Sequence, residues 1–161
     1  MHTATCHHED HTHPGLKGPA LRGALSAAER RCAETQERLT APRRRVLELL
    51  LVADGPLKAY DLIAAFGERG EPAKPPTVYR ALDFLERIGF AHRIESLNAY
   101  VPCRMEGESH RAAFLICDCC GGAQEFEPDF SAQLAAARAA GYDVQSITLE
   151  ARGLCPACRR P

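Results

Sequence analysis

Apolar side chains recur at helical spacing through the first half of the chain. In 40–53 and again in 58–67 they lie at positions i, i+3, i+4 and i+7, on one face of a helix. The first of these stretches has Thr40 as a helix cap and Pro42 in the first turn, where the missing N–H costs nothing. Together with an earlier helix over 24–38, the pattern predicts short helices separated by the breaks "DGP" and "GERGEPAKPP".

A further amphipathic helix is predicted over 75–89, where it begins at two prolines and ends at Gly89. Thr77 and Arg80 lie on its polar side, and Phe84 breaks the pattern at the edge of that side. Residues 91–102 then predict two strands of a hairpin. Short helices followed by a hairpin predict a winged helix-turn-helix, whose last helix enters a DNA major groove. Core packing explains the stripe of Val78, Ala81, Leu82, Leu85 and Ile88, but not an exposed arginine near the helix start.

The second half predicts a smaller α/β unit. Strands are expected over 112–117, 123–127 and 143–153, with an Ala-rich helix over 129–141 before the last strand. The predicted fold class is therefore α+β, a winged helix-turn-helix plus a small C-terminal α/β domain. Because a three-stranded sheet with one helix leaves edges and an apolar face uncovered, we expect this unit to dimerise.

Composition and charge suggest the same division. The first 20 residues hold five of the seven histidines without periodicity, which is typical of a disordered tail. Residues 16–94 carry 14 Lys and Arg against 10 Asp and Glu, whereas 95–161 carry 6 against 9. Such a split suits a nucleic-acid module joined to a unit with another task. We predict a tail 1–20, a winged-helix domain 21–101, a hinge 102–111 and a dimerisation and zinc-binding domain 112–161.

The chain carries no apolar run long enough to span a membrane, and its polar N-terminus lacks the apolar core of a secretory signal. We therefore expect a cytoplasmic protein without a membrane partner. Its eight cysteines would meet a reducing compartment, where paired cysteines favour metal or redox chemistry over structural disulfides.

Two C-x-x-C knuckles carry the clearest chemical signal. Zinc takes four soft or borderline ligands in a tetrahedron, and a two-residue spacer lets both sulfurs of a knuckle face one ion. A redox dithiol would instead lie at the start of a helix that follows a strand in a βαβ unit, and these knuckles do not lie in such a position. Cys119, inside the first knuckle, is interpreted as a non-ligand. The spacing predicts a closed structural zinc site formed by Cys117, Cys120, Cys155 and Cys158.

Four other ligand-type residues offer two nitrogens, one sulfur and one oxygen, enough to complete a second tetrahedron. Each also has an ordinary explanation: two surface histidines, a small buried cysteine and a solvated carboxylate. Spacing alone leaves both interpretations open for His92, Cys103, His110 and Glu125.

Several motifs together resemble the ferric uptake regulator superfamily, specifically its zinc-sensing branch, the zinc uptake regulators. They are "LTAPRRRVLELL", "AYDLIAAF", "KPPTVYRALDFLERIGFAHRIESLNAYVPC", "HRAAFLICDCCG" and "GLCPAC", and the match runs from about residue 24 to 158. Members of the family are bacterial homodimeric repressors with an N-terminal winged-helix domain and a C-terminal dimerisation domain.

The resemblance implies roles for individual residues. It makes the four knuckle cysteines the structural zinc ligands, and His92, Cys103, His110 and Glu125 the sensing ligands. Arg80 is similar to the base-contacting arginine of the recognition helix, and Tyr60 to a DNA-contacting tyrosine; Thr77 joins this DNA-binding set. Iron- and peroxide-sensing relatives usually carry "HHDH" where this chain has residues 111–114, "RAAF". Because the iron ligands are missing and Cys103 offers sulfur, zinc is favoured.

The predicted function is a zinc-responsive repressor that binds an inverted repeat in double-stranded operator DNA as a homodimer and controls zinc uptake genes. It would hold two zinc ions per subunit, take no small-molecule substrate, and not be an enzyme, because four thiolates leave no open metal position. The alternatives are a thiol redox switch using the C-x-x-C pairs and a zinc-storage or delivery protein using the tail. Neither alternative needs "PPTVYRALDF", which favours the repressor.

Overall fold

The computed structural model describes residues 15–67, 74–103, 112–144 and 147–159. These residues form two compact units, one containing the described residues up to 103 and the other those from 112 onward. Among the helices of these ranges, none is both long enough and apolar enough to cross a bilayer.

The first unit is a helical bundle that carries a small antiparallel sheet. Strand β3 lies in the middle of this sheet and pairs with β1 on one side and β2 on the other. β2 and β3 form the predicted hairpin, which turns through a short 3₁₀ segment and through Asn98 at φ 47°. The elements are α1 (Gly18–Glu34), α2 (Ala41–Val52), β1 (Leu57–Lys58), α3 (Ala59–Gly67), α4 (Pro75–Arg87), β2 (Ala91–Ile94) and β3 (Ala99–Pro102).

The core of this unit forms where α2 and α4 pack together. The predicted stripe of α4 is buried except for Ile88, which is partly buried. Phe84 departs from the prediction, because it is buried rather than at the edge of the polar side. The guanidinium of Arg43 on α2 lies 3.5 Å from the centroid of its ring, which gives the phenylalanine a cation–π partner and covers it from solvent.

Helix α1 begins six residues before the predicted start at 24 and ends four before the predicted end at 38. At its start, the backbone N–H groups of Gly15 and Leu16 donate to Asp54 and to the Leu51 carbonyl. A Cβ on Gly15 would overlap the Val52 carbonyl oxygen, so only glycine fits. Residues 15–20, assigned to the disordered tail, are therefore ordered, which corrects that prediction; residues 1–14 lie outside the described residues.

Local contacts explain where α1 ends, and the start of α2 tests one of the predicted helix caps. Helix α1 ends at Glu34 because the Thr35 hydroxyl donates back to the Arg31 carbonyl and Gln36 adopts φ 58°, a left-handed conformation that interrupts the helix. Thr40 occupies the N-cap position of α2 as predicted, but its side chain makes no capping hydrogen bond, so that part of the prediction is wrong.

The second unit is a three-stranded sheet with one helix, as predicted. Its elements are β4 (Ala112–Cys117), β5 (Ala123–Glu125), α5 (Ser131–Ala139) and β6 (Thr148–Gly153), so β5, β6 and α5 are shorter than the ranges the sequence predicts. β4 lies in the middle, antiparallel to β5 and parallel to β6. The long connection through α5 makes this parallel pairing possible. The mixed helix and sheet content confirms the α+β class.

Candidate metal centre and nucleic-acid interface

The two C-x-x-C knuckles meet because they follow parallel neighbouring strands. Cys117 is the last residue of β4 and pairs with Gly153, the last residue of β6. Both strands run in the same direction, so both leave the sheet at the same edge. The first knuckle turns through Gly121 at φ 71°, a left-handed conformation that glycine adopts without strain. The second knuckle forms a turn immediately after β6.

The geometry of the four cysteines fits a zinc ion. The sulfur atoms of Cys117, Cys120, Cys155 and Cys158 all lie within 4.8 Å of one another. Sulfurs at the corners of a tetrahedron, about 2.3 Å from a central zinc, would be about 3.8 Å apart. The four sulfurs are therefore close enough together for one zinc ion to contact all of them. Cys119 is not a member of the cluster.

The surrounding backbone favours the thiolate form of one cysteine of this cluster, Cys117. Burial alone would raise the pKa of Cys117, but backbone N–H groups of Cys120, Cys155 and Cys119 donate to its sulfur and lower that pKa to about 6. The donation from Cys155 has an N to S distance of 3.3 Å. Desolvation raises the pKa of Cys120 and of Cys158. The lowered pKa of Cys117 favours its thiolate near neutral pH, whereas Cys120 and Cys158, with raised pKa values, would release protons on metal binding.

A second pair of ligand-type residues lies in the first unit. His92 sits on β2 opposite Val101, so Cys103 is its diagonal neighbour on the same face of the hairpin. The backbone N–H of Cys103 donates to the Phe90 carbonyl over 2.9 Å and fixes its position. As a result a ligand nitrogen of His92 lies within 4.8 Å of the Cys103 sulfur.

The other two predicted sensing ligands do not belong to this hairpin. Glu125 is the last residue of β5 in the second unit and pairs with Phe114 of β4. His110 lies outside the described residues. The four-residue set therefore stays a prediction.

The N-terminal half of α4 presents polar and aromatic side chains to solvent. Arg80 is exposed and Thr77 is half-buried, while Val78 between them is buried in the core. Tyr60, near the start of α3, is 78% exposed. Because the buried stripe fixes the rotation of α4 about its axis, Arg80 points away from the core, as a groove-reading side chain must.

Sequence reasoning missed two features. Tyr79 on α4 is 48% exposed beside Arg80; its place outside the apolar stripe could have indicated this. In the second unit, Arg152 forms an ion pair with Asp118, inside the first knuckle, at 2.6 Å. Nothing in the sequence pattern signals a contact between residues 34 positions apart.

The comparisons with known proteins agree on one family. The Ferric uptake regulator family matches residues 34–152. The zinc uptake regulation protein of Escherichia coli (strain K12) is 44% identical over 139 residues, which cover 83% of this chain and 80% of that protein. The ferric uptake regulation protein of Synechococcus elongatus is 28% identical over 127 residues, covering 76% and 86%.

Solved structures give the same result. A zinc uptake regulator complexed with zinc and DNA superposes with a TM-score of 0.82 at 40% identity, covering 88% of this chain and 96% of that one. The crystal structure of holo XcZur superposes with a TM-score of 0.77 at 45% identity, covering 84% and 96%.

Proposed function

Because this chain belongs to the ferric uptake regulator family, we propose that it is a zinc-responsive transcriptional repressor that controls zinc uptake genes. The observation that carries this conclusion is the similarity, over 88% of the chain, to a zinc uptake regulator solved with zinc and DNA. The resemblance to the zinc-sensing branch, predicted from the sequence, is confirmed. A titration of operator DNA at buffered free zinc tests the proposal.

Two zinc sites per subunit would serve different purposes. Cys117, Cys120, Cys155 and Cys158 would hold a structural ion, since four thiolates close the coordination shell. This proposal is supported by the convergence of their sulfurs and by the low pKa of Cys117. A closed shell offers no open position for a substrate, so we propose no enzymatic activity for this centre.

His92, Cys103, His110 and Glu125 would form the sensing site. The close approach of His92 to Cys103 supports half of this set. These two ligands belong to the first unit and Glu125 to the second, so one ion bound by all would cross-link the units. Without that cross-link the spacing of the two DNA-reading helices in a dimer would be variable. Moving a two-state equilibrium from mostly open to mostly closed takes about 5 kcal/mol of differential binding, which a four-ligand zinc site can supply.

Each dimer would present two copies of α4 to successive major grooves of an inverted repeat. Lysine and arginine contacts to phosphates would provide much of the affinity and make it dependent on salt. Arg80 would add sequence recognition, with Tyr60 and Thr77 beside it. A repressor of this kind acts where the chromosome lies, which places it in the cytoplasm.

The second unit carries an apolar face suited to a partner copy. Leu115 on β4 pairs with Ala151 on β6, and Ala113 pairs with Leu149, so all four side chains share one face of the sheet. Leu115 and Leu149 are large and exposed. Covering them in a homodimer would remove apolar surface from water and stabilise the small sheet.

Replacing Arg80 with alanine is expected to abolish preferential binding to the operator while leaving zinc content and dimerisation unchanged. A bidentate arginine–guanine contact contributes about 1–3 kcal/mol of discrimination, and a dimer would make two such contacts. Fluorescence anisotropy with operator and scrambled DNA measures the preference, and Arg138→Ala, an exposed arginine on α5, is the control. An unchanged ratio between operator and scrambled DNA would show that another residue reads the sequence.

Deleting residues 1–14 is expected to change zinc-dependent operator binding by less than about twofold, because the first few residues of a domain are where changes are best tolerated. Extending the deletion to residue 20 should lower the melting temperature, since it removes the hydrogen bonds of Gly15 and Leu16 and the first turn of α1. Differential scanning fluorimetry and a zinc titration compare both variants. A large loss of zinc response in the shorter deletion would mean that the tail histidines contribute to sensing.

A further inference from the structure

Arg152 and Asp118 connect the first knuckle to the end of β6, the strand that leads into the second knuckle, although neither is a metal ligand. The Nε and Nη2 atoms of Arg152 lie 2.8 and 2.6 Å from the Oδ1 atom of Asp118. In the opposite direction, the backbone N–H of Asp118 donates to the Gly153 carbonyl over 2.8 Å. Side chain and backbone therefore make two independent connections between the first knuckle and the end of β6.

These connections involve residues that lie close to the knuckle cysteines along the chain. Asp118 follows Cys117 within the first knuckle, and Arg152 precedes Cys155 by three residues. Arg152 pairs with Ile116 in the parallel register, one pair before β4 and β6 end at Cys117 and Gly153. Any change in the spacing of the knuckles must therefore disturb this ion pair.

The ion pair contributes little to the stability of the fold as a whole. The side chains of Arg152 and Asp118 are 51% and 45% exposed, and pairs with such exposure add little to the free energy of unfolding. Its effect is expected to be local instead. Four thiolates around a divalent ion leave a net charge of about −2, and the Asp118 carboxylate adds to it at close range. Arg152 supplies the positive charge that offsets both.

We propose that Arg152, through its ion pair with Asp118, is a positioning residue of the four-cysteine site that keeps the knuckles in register and slows the release of zinc. This inference rests on the proposed structural role of the four cysteines. It predicts a specific order among variants: loss of Arg152 alone leaves the Asp118 carboxylate uncompensated and is worse than loss of both charges.

The test measures zinc release from the zinc-loaded full-length protein to an excess of a chromogenic chelator. Arg152→Met is expected to accelerate release from the four-cysteine site about 10-fold, the lower end of the effect of removing an outer-shell partner, because the pair is half exposed. Asp118→Asn and the double variant should accelerate it less, and Arg152→Lys should lie between Arg152→Met and the unmodified protein. Arg138→Met is the matched control, with release expected at the rate of the unmodified protein.

Equal release rates for Arg152→Met and the unmodified protein would overturn the proposal. So would equal acceleration by Arg138→Met, or a double variant that loses zinc as fast as Arg152→Met. If Arg152→Met does not fold, Asp118→Asn is compared with the unmodified protein instead, because this variant also breaks the ion pair. Equal rates of zinc release for these two proteins would then overturn the proposal. An unmodified protein without zinc on the four cysteines would contradict the proposed structural site itself, which is a separate outcome.

Discussion

Replacing Cys155 with serine is expected to unfold the second unit and to abolish both dimerisation and operator binding. Among the described residues of this unit, the buried apolar side chains are few: Ala113, Phe114, Ile116, Cys117 and Phe130. Helix α5 buries none of its residues, and β6 is largely exposed. A structural zinc typically supplies about 10–16 kcal/mol of apparent binding free energy, more than so small a core can replace.

Zinc content, dimer mass and circular dichroism measure this loss. The control is Arg138→Ala, at an exposed position of α5 in the same unit and outside the sulfur cluster, which should keep zinc and remain dimeric. A Cys155→Ser protein that stays dimeric and binds operator DNA normally would show that the four cysteines do not hold a structural ion.

Replacing Cys103 with serine is expected to leave a folded dimer that has lost its response to zinc. Cys103 belongs to the first unit and the knuckles to the second, so the four-cysteine site should remain loaded with about one ion per subunit. A hydroxyl is a poor substitute for a thiolate on zinc, so the remaining His92, His110 and Glu125 would bind zinc more weakly. Weaker binding populates the closed state less at the same free zinc concentration.

Metal content after dialysis and operator binding against buffered zinc test this expectation. His92→Ala should behave like Cys103→Ser, because it removes the neighbouring ligand. Arg138→Ala, which lies in the other unit, should respond to zinc as the unmodified protein does. If Cys103→Ser represses at the same free zinc concentration as the unmodified protein, the four-ligand sensing site is excluded.

Features with a strong local signal could be predicted from the sequence. The stripe of α4 follows from its 3.6-residue period, and burial of Val78, Leu82 and Leu85 confirms it. The four-cysteine cluster follows from two C-x-x-C spacings, since each spacing directs both sulfurs to one point. The parallel pairing of β4 with β6, which brings the knuckles together, is visible only in the fold.

Features that depend on distant contacts could not be predicted. Phe84 breaks the helical period, and its burial depends on Arg43, 41 positions earlier in the chain. The start of α1 depends on Gly15 meeting the end of α2, and β1 is too short to show alternation. When a residue is buried by a partner from elsewhere in the chain, the local hydrophobic periodicity does not show it, and this holds for both Phe84 and Gly15. Apart from the end of the tail, the domain boundaries stay predictions, as do the roles of the DNA-facing residues.

The most direct test of zinc-responsive repression is operator affinity measured by fluorescence anisotropy, with free zinc buffered across the range in which the sensing site fills. The dimer should bind an uptake-gene promoter tightly only above a threshold of free zinc, while its structural zinc stays constant throughout. From the coupling proposed above, about 5 kcal/mol, the DNA-competent fraction of the dimer, and with it the affinity for the promoter, should rise by up to about 100-fold. Affinity for the promoter that is the same with the sensing site empty and filled would contradict the account.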